Sequence, residues 1–157
     1  MRKDHKFKKI LIAVAFSDQS EDHFLYAAYL AGLSKAELFV LNVINQRDID
    51  SAAVFARLVG SSALTVEQFT QIEIKKRKDK IEETLNRENL GDIRHELLVR
   101  IGNPFEVIME TISELDVDIV VMGTRGAIIK DERYTVLTGS VAEKVFRHSP
   151  VPVLSVR

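Results

Sequence analysis

The chain is predicted to be an α/β protein, a five-stranded parallel sheet with helices on both faces, and three observations predict it. Short β-branched apolar runs alternate with stretches of helical periodicity. Several of those runs are apolar at successive positions, which suits strands covered on both sides rather than one. The chain has 157 residues, 46% of them hydrophobic, which is one ordinary domain with a core that needs no covalent staple. Lys and Arg number 22 against 23 Asp and Glu, so the net charge is −1, and nothing pulls the whole molecule towards nucleic acid or anionic lipid. Cysteine is absent. That removes thiol nucleophiles, thiolate metal sites and disulfides, and a reducing compartment, the cytoplasm, is the expected location.

The first strand is read at residues 9–15 (KILIAVA). Arg2, Lys3, Lys6, Lys8 and Lys9 precede it, and Ala13-Val14-Ala15 has the form of a cleavage site, so an export signal is the competing reading. The apolar run is at the short limit for one, however, and its alternation of large and small residues bounded by Ser17-Asp18 suits a buried strand. No run approaches the roughly 20 apolar residues of a membrane span. Residues 21–33 read as a helix, with Phe24, Ala27, Ala28 and Ala31 at helical spacing, Ser17 or Asp18 as candidate caps and Gly32 near the end. Residues 37–44 (ELFVLNVI) form the second strand, apolar throughout its interior except at Asn42.

From 45 to 65 the signal is weak, and a partial helix or a lid is expected over Ile49, Ala52, Ala53, Phe55, Ala56 and Leu58. Residues 65–89 are clearly helical, with Thr65 as cap and Phe69, Ile72, Ile81 and Leu85 facing inward. Lys75, Lys76, Arg77, Lys78 and Lys80 are interspersed with Glu73, Asp79, Glu82 and Glu83 at helical pairing distances, so a solvated face is expected rather than a nucleic-acid surface. The third strand is read at 95–100 (HELLVR), a helix at 104–115 with Pro104 at its first position, and the fourth strand at 117–122. A helix is read at 138–148, with Val141 and Val145 facing one side. The last strand, Val151 to Val156, carries Pro150 and Pro152 at its start, which places it at a sheet edge because proline donates no ladder hydrogen bond.

In an open parallel sheet the carboxyl ends of the strands hold the ligand, and one loop there carries chemistry. Gly123-Thr124-Arg125-Gly126 is followed by twelve residues and then Gly139-Ser140-Val141 at a helix start. Glycines let main-chain amides approach an anion closely, and the first turn of the next helix adds unpaired N–H groups. The alternative is that Gly126 and Gly139 merely turn the chain. The lysine-bearing phosphate loop GxxxxGK[ST] is absent, as is GxGxxG. His95-Glu96 lacks the second histidine of a zinc helix, position 99 being Val. Ser17, Asp18 and His23 could be imagined as a triad, but no oxyanion-loop signature accompanies them, and capping residues are the expected reading. No catalytic residue and no metal ligand is assigned.

Gly123-x-x-Gly126 with Gly139-Ser140, the opening KKILIAVAFS, the alanine-rich helix after it, LNVI closing the second strand, Gly102-Asn103-Pro104 and VDIVVMGTRG together resemble the universal stress protein family from about Lys8 to Arg157. The resemblance implies a strand order 3-2-1-4-5 and a homodimer formed through the last strand. It further implies an adenine nucleotide, ATP or AMP with Mg an open question, held by Gly123, Arg125, Gly126, Gly139, Ser140 and Val141, with Val43 near the adenine through its backbone. Two departures stand out. ATP-binding members usually carry aspartate where this chain has Ala15, which offers neither acceptor nor metal ligand. The spacer has twelve residues instead of nine, with Lys130, Asp131, Glu132 and Arg133 in the enlarged part. The expected function is a nucleotide-responsive dimeric regulator in stress response. The alternative is a dimeric interaction protein of the same fold that binds no nucleotide and meets an unknown protein client through residues 45–65. Hydrolysis of ATP, which needs a carboxylate for the metal and a group that positions water, is expected to be slow at most.

Overall fold

The computed structural model describes residues 6–15, 22–60, 65–123 and 140–156. Along the chain these form β1 (Lys9–Val14), α1 (Asp22–Ser34), β2 (Glu37–Asn45), α2 (Gln46–Leu58), α3 (Val66–Arg87), β3 (His95–Gly102), α4 (Pro104–Leu115), β4 (Ile119–Gly123), α5 (Ser140–His148) and β5 (Val153–Val156). The five strands make one parallel sheet in the order β3-β2-β1-β4-β5. The predicted class and order are therefore both found, and the proline-led strand lies at an edge. There Pro152 still contributes its carbonyl, which accepts from the Val120 N–H at 3.0 Å.

Two-sided burial of β1 organises the packing. Ile10, Ile12 and Val14 point to one face, where they meet Phe24, Ala27 and Ala31 of α1 and Ile81 and Leu85 of α3. Leu11 points to the other, against Val107, Ile108 and Ile112 of α4 and Ala142 and Val145 of α5. Ile10, Leu11 and Ile12 are wholly buried, and each such side chain stabilises the fold by about 1.5–3 kcal/mol relative to exposure. At the amino edge of the sheet Asp118 Oδ2 accepts from the backbone N–H groups of Lys8 (2.8 Å) and Lys9 (2.9 Å), while Lys9 Nζ donates to the Leu115 carbonyl at 2.8 Å. One carboxylate thus sets the entry of β1 beside that of β4.

Within the weakly patterned segment a helix runs from Gln46 to Leu58, α2, begun by Asn45, whose side chain accepts from the Arg47 N–H. Ile49 is its buried residue, so there was little apolar periodicity to read. Helix α3 starts at a capping box in which Thr65 and Gln68 exchange side-chain and backbone hydrogen bonds. Its cations pair along the helix as expected: Lys75 with Asp79 at 2.6 Å, and Lys76 and Arg77 with Glu73 at 3.7 Å. Ile72 is a correction. Expected inside, it is 51% exposed, because the buried residues of α3 are Ile81, Thr84 and Leu85 in its last turns.

The turn from β3 into α4 depends on Gly102. Its φ is 154°, a conformation that side-chain-bearing residues rarely adopt, and an added Cβ would stand 2.8 Å from Val107 Cγ2. Asn103 then caps α4 by accepting from the Phe105 and Glu106 N–H groups, and Pro104 occupies the first turn as predicted. We expect Gly102→Ala to lower the unfolding free energy by about 1–3 kcal/mol, measured by urea titration; an unchanged midpoint would show that the turn relaxes without cost.

Arg100 on β3 grips Glu114 on α4 with both terminal nitrogens, at 2.6 and 3.1 Å. The guanidinium hydrogen bond, then its charge, hold the Glu114 carboxyl below the usual glutamate range. A lowered folded-state value means that the pair's contribution is complete above the unfolded value of roughly pH 4.3 and is lost as pH falls through the folded one. The pair is exposed and its contribution is modest. Urea midpoints of wild type and Glu114→Gln should differ at pH 7 and converge towards pH 3. A gap that stays constant with pH contradicts the assignment.

Candidate functional site

Strand order reverses between β1 and β4, and the helices that follow these two strands go to opposite sides. Helix α1, after β1, packs on the face lined by Ile10 and Ile12, whereas α5, after β4, packs on the face lined by Leu11. A crevice at the carboxyl ends of β1 and β4 is the geometric result. Ala13 pairs with Met122 in the ladder and Val14 with Asn42. Gly123, the last residue of β4, is therefore level with Val14, one residue before Ala15, and Val43 stands at the level of Ala15 on the next strand.

The predicted residues distribute around this crevice as follows. Ala15 and Gly123 are exposed, Val43 is half-buried, and Ser140 and Val141 open α5, the first exposed and the second half-buried. Arg125, Gly126 and Gly139 lie outside the described residues, as do Ser17 and Asp18. Gly123 is informative. It is not among the positive-φ glycines, and the nearest atom of the described residues to an added Cβ is His23 Nδ1 at 3.9 Å, an ordinary contact. Neither backbone conformation nor packing among the described residues accounts for a glycine there. An exposed position without a side chain, at the carboxyl end of a central strand, leaves the main chain open to close approach.

Two residues near the crevice were not read as part of it from sequence. His23, in the first turn of α1, is 9% exposed, with its ring tilted against Phe24 at a centroid distance of 5.1 Å. Its approach to Gly123 bridges a hundred residues of chain, and no spacing signals it. Asn42 is 1% exposed; its amide Nδ2 donates to the Val14 carbonyl at 2.8 Å, and its Oδ1 accepts from Arg77 Nη1 at 3.1 Å. The sequence marked Asn42 as a polar interruption in an apolar strand, which was the available signal.

Chemically, the described part of the crevice offers main chain at Ala15 and Gly123, a hydroxyl at Ser140 where α5 begins, and an apolar wall at Val43 and Val141. Phosphate and a flat base suit such a surface: amides and a hydroxyl for the anion, aliphatic side chains for the ring. Ala15, Val43, Gly123, Ser140 and Val141 include no carboxylate, and among the described residues no group of three or more His, Asp or Glu is arranged to hold a metal ion. No helix among them is long and apolar enough to cross a membrane.

Residues 6–157 match the family model described as the Universal stress protein family. Universal stress protein MJ0577 of Methanocaldococcus jannaschii is 31% identical over 160 residues, covering 96% of this chain and 95% of its own length. A solved structure of MJ0577 superposes with a TM-score of 0.73 at 28% identity, over 96% of this chain and 95% of that one. A universal stress protein in complex with cAMP superposes at 0.61, with 21% identity over 97% of this chain and 98% of its own. Another, from Archaeoglobus fulgidus in complex with dAMP, superposes at 0.64, with 18% identity over 96% and 98%. These last two share the fold.

Proposed function

The chain belongs to the universal stress protein family, and from that premise we propose that it binds an adenine nucleotide in the crevice between the carboxyl ends of β1 and β4, as a dimeric, nucleotide-responsive regulator of stress response in the cytoplasm. The observation that carries this reading is Gly123: exposed, bare, and required neither by its φ nor by packing among the described residues. Fold relatives in complex with cAMP and dAMP support the choice of an adenosine phosphate. In this reading main-chain amides, with the Ser140 hydroxyl and the glycines at 126 and 139, hold the phosphate, and Val43 and Val141 flank the base. Ala15 supplies no carboxylate for a metal-bridged triphosphate, so AMP is the ligand of first choice over ATP with Mg.

The dimer is proposed through β5, whose outer edge has no neighbouring strand among the described residues. A protein client is proposed along α2, where Val54, Phe55, Leu58 and Val59 are all more than half exposed. The chain assigns no catalytic residue, and its role in this reading is occupancy rather than turnover.

Isothermal titration with AMP, cAMP and ATP tests the ligand. Saturable binding of at least one is expected, weakened about tenfold or more in Gly123→Val, with a melting temperature within about 2 °C of wild type because neither its φ nor packing among the described residues requires that glycine. Flat heats at millimolar concentrations of all three would remove the nucleotide reading.

A further inference from the structure

A buried amide in an otherwise apolar strand needs an explanation. Leu38 and Val40 occupy the same face of β2 as Asn42 and are fully buried aliphatics, so a third aliphatic would satisfy packing. Burying the amide stabilises nothing unless both its ends are paired. Both are, and to different elements. Nδ2 holds the carbonyl of Val14, the last residue of β1, while Oδ1 is held by Arg77 from α3, thirty-five residues away in sequence. Arg77 is itself oriented by Glu73 one turn earlier, and its side chain is 25% exposed.

The bond to Val14 falls where the sheet stops supporting β1. Pairing with β4 ends at Ala13 and pairing with β2 ends at Val14. The next residue is Ala15, one step beyond the level of Gly123, at the crevice. We propose that Asn42, braced by Arg77, is a positioning residue for the ligand site: it fixes the direction in which the main chain leaves β1, and so the placement of the Ala15 amide and carbonyl. Because Ala15 brings no functional side chain, what this strand end offers a ligand is its backbone. A backbone contact is as good as its orientation, since geometry decides the strength of a hydrogen bond, and Asn42 supplies that orientation from inside the core. The proposal rests on the nucleotide reading for its consequence but not for its geometry.

The experiment uses the full chain with Asn42→Leu, which removes both hydrogen bonds and fills the site with apolar volume, and Arg77→Met, which keeps the stem and removes the guanidinium. Backbone 15N relaxation of nucleotide-free protein reads the Ala15 order parameter, and titration with AMP reads affinity. Wild type should give a rigid value near roughly 0.85 at Ala15, falling towards about 0.6 or below in Asn42→Leu and by a smaller amount in Arg77→Met, with Leu11 unaltered. AMP affinity should weaken about tenfold in Asn42→Leu and by less in Arg77→Met, in step with the Ala15 order parameter while Leu11 stays unaltered, a local gradation that a merely structural role does not produce. An Ala15 order parameter that is already low in wild type, or equal in wild type and Asn42→Leu, overturns the proposal whatever the titration gives. Faster motion with unchanged AMP affinity confines the contact to the fold and also overturns it. If wild type binds no nucleotide, the functional reading fails by itself, and the order parameters still decide whether Asn42 anchors the strand exit.

Discussion

The fold depends on burying a central parallel strand from both sides. Ile10, Leu11 and Ile12 are consecutive and wholly buried, which is possible where helices cover both faces of the sheet and strands flank both edges of β1. Parallel strands require crossovers, and right-handed crossovers starting from adjacent strands whose sequence neighbours lie in opposite directions must go to opposite faces. The divergence of α1 and α5 follows, and with it the crevice. The site is thus a by-product of the topology before any side chain is chosen, and the local residues decide what the crevice accepts.

Those local choices are unusually spare. At the carboxyl ends of the central strands the chain places alanine, glycine and valine, and puts its polar groups one layer back, with Asn42 inside the sheet, His23 in the first turn of α1 and Arg77 reaching in from α3. The arrangement favours a surface whose polarity comes from the main chain. At the opposite end of the sheet the logic is reversed. There a carboxylate, Asp118, captures two backbone N–H groups and Lys9 closes onto the end of α4, so the amino edge is tied by side chains, whereas Ala15 and Gly123 at the carboxyl edge are exposed.

Much of this was legible from sequence. Strands β1, β2 and β4 were read from apolar runs that two-sided burial imposes, and Asn103-Pro104 marked the start of α4 through capping chemistry. Helix α2 was faint because burial of a single aliphatic, Ile49, imposes no period. Ile72 was misplaced for the complementary reason: periodicity reports which face of a helix is apolar, not how far along its length the core extends, and α3 meets the core in its last turns. At the site, Ala15, Val43, Gly123, Ser140 and Val141 fall where strand ends and a helix start were expected. The nearness of His23 to Gly123 and the hydrogen bond of Arg77 to Asn42 bring together residues far apart in the chain, and no local pattern encodes such placements.

The alanines of α1 have an effect beyond helix formation. Ala27, Ala28 and Ala31 are almost completely covered, so the helix backbone rides close to the sheet, with methyl groups as its spacers. The stand-off of α1 therefore governs how near the His23 imidazole comes to the end of β4. In a core packed at crystal-like density, swapping Ala27 or Ala31 for a longer aliphatic would force α1 away from the sheet and carry the His23 imidazole with it, while every residue at the strand ends stayed the same.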